Sequence, residues 1–226
     1  MPTLDDLTAL TGRTFAAVLF DNDGTLVDSE EPGLEVLHAL ALEEGLSLSL
    51  AEARQRFRGV RMADCVAWIA AQRLDRPVGF EADFMARVRR QTELRFRQGL
   101  QPMHGAPELL ATLHAQGRPM AVATNGPREK VELSLGLTGL REPFGAHVYC
   151  AYEVGSFKPE PGLFLHAAQA LGVAPQHCAV VEDSLPGLQA ALAAGMRAFS
   201  LHPRAGLPEA LVQRVHFIDR LSELLP

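Results

Sequence analysis

The stretch Ala16-Ala17-Val18-Leu19-Phe20-Asp21-Asn22-Asp23-Gly24-Thr25 decides how the chain is read. Five apolar residues running into a polar, glycine-containing turn predict a buried strand, so the two aspartates fall at its C-terminal tip. Open α/β sheets bind their ligands at that end of their strands. Asp21 and Asp23, at i and i+2 on an extended tip, lean to the same side, so that one acid can serve as a nucleophile and the other can move a proton. A calcium loop also begins Asp-x-Asp. Its fifth, sixth and twelfth positions would here be Thr25, Leu26 and Pro32, where an acid or amide, a glycine and a glutamate are required. The calcium reading fails.

Downstream, residues 30–100 show the spacing of amphipathic helices with no strand signal between them. Leu34, Leu37, His38 and Ala41 share one apolar face, Val66, Ile69 and Ala70 share another, and Phe84, Val88, Leu94 and Phe96 belong to a third, arginine-rich segment. Trp68 sits on such a face and reads as core. From Gln101 the pattern becomes a β-α alternation, the signature of a parallel sheet. Strands are predicted at 120–124, 147–150, 178–181, 198–201 and 215–218, and helices at 106–116, 128–135, 162–171 and 185–194. Gly187 and Gly195 read as packing and helix-ending residues. The predicted fold class is α/β, a Rossmann-like parallel-sheet core domain of residues 1–29 and 101–226 carrying an inserted all-helical cap domain of residues 30–100.

The cap segment holds eleven arginines and eleven acids, so the net charge of −6 lies on the rest of the chain. An arginine-rich cap over an acidic core suits an anionic substrate held between them, although solvated helix faces explain most single arginines. The acidic balance argues against nucleic acid as a partner and for a small substrate. A length of 226 residues allows a substantial core. Cys65, Cys150 and Cys178 show no C-x-x-C spacing, so neither a disulfide framework nor a zinc site is indicated and a cytoplasmic location is expected. Residues 1–14 carry Asp5 and Asp6 and do not read as a leader, and no apolar run approaches membrane-spanning length. No membrane partner is expected, and nothing demands more than a monomer. The eight histidines show no metal-ligand spacing.

Three further stretches carry chemistry. In Thr124-Asn125-Gly126, a hydroxyl, an amide and main-chain N–H groups at a strand-to-helix junction can donate to a phosphate. In Ser156-Phe157-Lys158-Pro159-Glu160-Pro161, a lysine stands beside stiffening prolines in a chain with only two lysines and nineteen arginines. The other, Lys130, has Glu129 and Glu132 nearby and reads as surface charge. In Val180-Val181-Glu182-Asp183-Ser184, adjacent acids at a strand end are costly together unless a cation neutralises them. Mg2+ prefers oxygen ligands and fits a site built from Asp21, the main-chain carbonyl of Asp23 and Asp183, with Glu182 as a direct or water-mediated ligand.

With Asp21-Asn22-Asp23-Gly24-Thr25 in front, these stretches resemble the four motifs of the haloacid dehalogenase-like (HAD) superfamily, and the resemblance covers essentially the whole core. The stretch 124–199 looks most like the branch containing β-phosphoglucomutase and 6-phosphogluconate phosphatase. The resemblance implies a C1-type cap and a Mg2+-dependent phosphomonoester hydrolase for a small phosphorylated sugar or sugar acid. It implies an aspartyl-phosphate formed on Asp21, with Asp23 as general acid and then base. Thr124, Asn125 and Gly126 would bind the phosphate and Lys158 would neutralise it. In the cap, Arg58-Gly59-Val60-Arg61 matches the family's specificity loop, so that Arg58 and Arg61 are candidates to meet a second anionic group.

Asp23 and Asp183 argue against haloacid dehalogenation, which needs neither the second acid nor a metal. Phosphonate hydrolysis in this superfamily uses a cap lysine, and residues 30–100 contain none. A β-phosphoglucomutase-like mutase is the alternative, but the cap position where that enzyme needs a histidine is Gly33, which favours transfer to water. His38 reads as packing on the apolar side of its helix. A non-catalytic ligand-binding module on the same fold is the further alternative; against it, no motif acid is replaced.

Overall fold

The computed structural model describes residues 15–58, 60–73, 75 and 77–224. The leader reading on residues 1–14, and Gly59 of the Arg58–Arg61 stretch, lie outside the described residues. In chain order the elements are β1 (Ala17–Phe20), α1 (Glu30–Glu43), α2 (Leu50–Phe57), α3 (Met62–Gln72), α4 (Phe80–Arg97), α5 (Ala106–Ala115), β2 (Met120–Thr124), α6 (Arg128–Leu137), β3 (Val148–Cys150), α7 (Ala151–Val154), α8 (Gly162–Ala170), β4 (Cys178–Glu182), α9 (Leu185–Ala193), β5 (Arg197–Ser200), α10 (Glu209–Val212) and β6 (His216–Phe217). They fall into two compact units, one of residues up to Val27 and from Gln101 onward, the other Asp28–Leu100.

The first unit is built on a six-stranded sheet of order β3-β2-β1-β4-β5-β6, parallel throughout. Every residue of β1, β2 and β4 is buried. That is why these strands read as continuous apolar runs: helices cover both faces of a parallel sheet, so neither face can be polar. β1 is central, with Phe20 opposite Val122 of β2 and Val181 of β4. Chain order reverses beside β1, and at such a switch point ligands bind beyond the carboxyl ends of the strands. Leu19, Val180, Leu163 and Phe164 are fully buried in one core cluster, each burial contributing about 1.5–3 kcal/mol.

The second unit is a bundle of α1–α4 around Leu34, Leu37, Phe57, Val66, Ile69, Phe84 and Val88. Trp68 packs against this core, its ring edge-on to Phe57 at 5.4 Å. His38 is engaged through Nε2 with the Leu48 carbonyl at 2.8 Å. Leu94 of α4 is 49% exposed, because two residues of helix, ~200° of rotation, separate it from the buried Phe96. Several arginines are paired within the unit, Arg73 and Arg87 with Glu44, Arg54 and Arg58 with Glu31, and Arg95 with Glu35.

The predicted strands and helices of the first unit are present with ends shifted by a residue or two, the usual scatter of element boundaries. α7 and α10, four residues each, were not foreseen. Among the described residues no helix is long and apolar enough to cross a membrane.

Candidate active site

Four chain segments meet at the carboxyl end of the central strands. Asp21 follows β1 directly, its N–H donating to the Val181 carbonyl at 3.0 Å. The loop then doubles back: Leu26 and Val27 both donate their N–H to the Asn22 carbonyl, and Gly24 donates to Val27. Gly24 takes the left-handed conformation, φ +77°, and a Cβ there would stand 2.1 Å from Asp183 Oδ2. No side chain fits between the first motif and the fourth.

Lys158 closes the centre. Its side chain is 2% exposed, and its Nζ donates to Asp21 Oδ1 at 2.5 Å and to Glu182 Oε1 at 2.6 Å. The ammonium also lies 5.0 Å from the centre of the Phe164 ring. Asn125 fastens the lysine main chain from both sides, accepting from Lys158 N–H at 2.9 Å and donating to the Lys158 carbonyl at 3.2 Å. The amide expected to bind phosphate through its side chain is thus engaged in setting where Lys158 emerges. Thr124 is buried, and its hydroxyl oxygen accepts from Gly126 N–H at 3.0 Å. That bond uses an oxygen lone pair of Thr124, so its hydroxyl proton stays available to donate, while the Gly126 N–H is taken.

Glu182 is fully buried. Besides Lys158, it accepts from Ser184 N–H at 2.9 Å and from the Ser184 hydroxyl at 2.8 Å, both on Oε2. A Cβ on Gly187 would come within 1.8 Å of Glu182 Oε1. With three donors on its two oxygens, Glu182 anchors the ammonium. Asp183 accepts from the Thr25 hydroxyl at 3.2 Å.

The electrostatics follow from burial. Burial pushes Asp21 up to about 7 against the pull of Lys158, with Glu182 and Asp23 adding to the rise. Asp183 is raised well above the carboxylate range by burial and then by Glu182 and Asp21. Burial opposes the Lys158 charge, but Asp21 and Glu182 outweigh it and hold the ammonium above its ordinary value. Asp21, Glu182 and Asp183 share one ammonium, which leaves a surplus of two negative charges when all three are ionised. Among the described residues no group of three or more His, Cys, Asp or Glu side chains is arranged to hold a metal ion.

Residues 15–195 match the family described as haloacid dehalogenase-like hydrolase. The chain belongs to that family. It is 33% identical to the 6-phosphogluconate phosphatase of Escherichia coli K12 over 81% of this chain and 80% of the relative. It is 34% identical to hexitol phosphatase A of the same organism over 84% of each. Among solved structures, a HAD family hydrolase from Deinococcus radiodurans R1 with bound phosphate and sodium superposes with a TM-score of 0.71 at 36% identity, covering 89% of both chains.

In this HAD-like hydrolase, Asp21, Asn125, Lys158 and Glu182 are linked by the contacts above, Thr124 is bonded to Gly126 and Asp183 to Thr25, and Gly126 stands beside Asp23, where a Cβ would lie 3.5 Å from Asp23 Oδ2. Arg58 and Arg61 belong to the helical unit, where Arg58 pairs with Glu30 and Glu31 and Arg61 with Asp64. Sequence reasoning missed Lys130. Its Nζ lies 2.8 Å from Asp23 Oδ1, which corrects the reading of Lys130 as plain surface charge. The scarcity of lysine that singled out Lys158 applied equally to Lys130.

Proposed function

We propose that this HAD-like phosphatase hydrolyses a small phosphorylated sugar or sugar acid in a Mg2+-dependent reaction through an aspartyl-phosphate on Asp21. The observation that carries the reading is the buried Asp21–Lys158–Glu182 contact at the tip of the central strand, with Asp183 beside it, three carboxylates to one ammonium and hence a double negative surplus once all three are ionised. A divalent cation matches that surplus, and its donor set of two carboxylates with a main-chain oxygen and waters is the kind Mg2+ accepts without a three-carboxylate cage. Asp21, Asp183 and the Asp23 carbonyl would hold it. When bound, Mg2+ neutralises phosphoryl oxygens and favours the ionised form of Asp21.

An Asp21 carboxylate oxygen attacks phosphorus, the bond from phosphorus to the ester oxygen breaks, and the Asp23 carboxyl gives its proton to the departing alkoxide. The Asp23 carboxylate then takes a proton from water, whose oxygen attacks the same phosphorus and releases inorganic phosphate, regenerating Asp21. The Thr124 hydroxyl donates to a phosphoryl oxygen and the Lys158 ammonium offsets charge gathering there, each already placed before substrate arrives. The helical unit Asp28–Leu100, inserted after the strand tip that carries both acids, is assigned the role of a C1-type cap.

Phosphate release from 6-phosphogluconate, hexitol phosphates, phosphoglycolate and nucleotides, with Mg2+ and with EDTA, tests the reading. Hydrolysis of the sugar and sugar-acid esters, abolished by EDTA and by Asp21→Asn, is expected. Release no greater than that of Asp21→Asn on every ester would leave only a binding module. Isomerised sugar phosphates in place of free phosphate would make the enzyme a mutase.

A further inference from the structure

The two lysines of the chain stand on the two acids of the first motif, Lys158 on Asp21 and Lys130 on Asp23. Lys130 occupies the first turn of α6, two residues after Arg128. Cations at a helix N-terminus oppose the helix dipole and are disfavoured there. Arg128 is compensated by Glu153 and Glu132, and Lys130 by Asp23. One turn further along, Ser134 accepts from Asn22 Nδ2 at 3.1 Å in a fully buried contact. Positions i and i+4 lie on one face of a helix. That face therefore receives two consecutive residues of the motif loop, Asn22 at Ser134 and Asp23 at Lys130. The Asp23 carboxylate is bounded on its other side by Gly126, at the start of the same strand-to-helix turn.

We propose that Lys130 is the positioning residue for Asp23. Its ammonium holds the proton-passing carboxylate at a set place beside Asp21, while Ser134 fixes the preceding residue of the loop. The inference rests on the reading of Asp23 as general acid and base. Proton transfer in the transition state demands hydrogen-bond geometry, and a carboxylate free to swing on a partly exposed loop loses that geometry. A compact ammonium on a flexible stem meets a single carboxylate oxygen as a point charge, as Lys130 does at Asp23 Oδ1.

The test compares kcat/KM for two esters, p-nitrophenyl phosphate, whose leaving group departs with little help from a proton, and a simple alkyl phosphate, whose alkoxide must be protonated as it leaves. This parameter covers the steps through loss of the leaving group and excludes later attack by water. Lys130→Gln is expected to lose ~10- to 100-fold on the alkyl ester, with little change on the aryl ester. Lys130→Arg, which keeps the charge, is expected to fall between Lys130→Gln and the unaltered enzyme. The ratio of the two esters does not depend on how much protein is folded. Equal losses on both esters, or an unchanged ratio, would overturn the proposal. Asp23→Asn, run in parallel, should discriminate between the esters by ~10²- to 10⁴-fold. If it does and Lys130→Gln does not, the positioning role alone falls. If Asp23→Asn fails to discriminate, the acid-base reading falls and takes the proposal with it.

Discussion

At the scale of single residues, the site is set as much by what is absent as by the charges. Among the described residues, Gly24 and Gly187 are the two places where a Cβ would enter a carboxylate, Asp183 in one case and Glu182 in the other. Gly24 also needs the left-handed backbone, which costs an ordinary residue ~1–2 kcal/mol. Gly187→Ala would force Glu182 away from α9 and take the second anchor from Lys158. A drop in kcat of ~10- to 100-fold on any accepted ester is the expected outcome, measured by phosphate release under saturating Mg2+. A variant with unchanged kcat would show that Lys158 does not need that anchor. Both glycines were legible in the sequence, Gly24 as part of the motif turn and Gly187 only as a packing residue. That the neighbour it accommodates is Glu182 depends on how the first turn of α9 folds back over the end of β4, which spacing alone does not reveal.

At the scale of elements, two serine caps use the same chemistry for different ends. Ser49 accepts from Glu52 N–H and Glu52 reaches back to Ser49 N–H, a complete capping box at the start of α2. Ser184 caps α9 by accepting from Gly187 N–H at 3.2 Å while its hydroxyl proton goes to Glu182. Replacing either with alanine should cost about 0.5–2 kcal/mol in urea unfolding. Ser184→Ala should also lower kcat, since Glu182 loses a donor, whereas Ser49→Ala should leave kcat unchanged. Equal kcat for both variants would mean that the α9 cap serves stability alone. The strands were readable because burial on both faces writes them as apolar runs bounded by turns. The four-residue helices α7 and α10 were not, because one turn is too short to display a helical period.

At the scale of the whole molecule, the three thiols report on the folded state. Burial pushes Cys65, Cys150 and Cys178 up to about 11 from an ordinary value of 9.0. The folded chain therefore keeps protons that the unfolded chain releases, so this contribution to stability is fully present below pH ~9 and is lost as pH rises toward ~11. The urea midpoint should fall between pH 8 and pH 10, less steeply in a triple Cys→Ala variant. Thiol labelling at pH 8 should be slow until denaturant is added, and rapid labelling of all three in the native protein would contradict their burial. Metal linkage acts on the same scale. A cation that binds only the folded site stabilises by RT ln(1 + [L]/Kd), so added Mg2+ should raise the melting midpoint of the unaltered enzyme and have little effect on Asp183→Ala. An equal rise in both would place the cation elsewhere.

The sequence by itself determined the α/β core, the order of four motifs, three of them at strand ends, and the helical insertion. These are local properties: apolar runs, turn residues and acids counted from a strand tip. The tertiary structure alone decided which charge meets which. Lys158 lies 137 residues from Asp21 along the chain, and its bridge to Glu182 follows from β1 and β4 being neighbours in the sheet. Lys130 looked like one more surface cation among glutamates, and only the docking of α6 against the motif loop puts it on Asp23. Charge pairing at such separations depends on side-chain positions within a few ångströms, and those arise from packing, which composition and spacing do not encode.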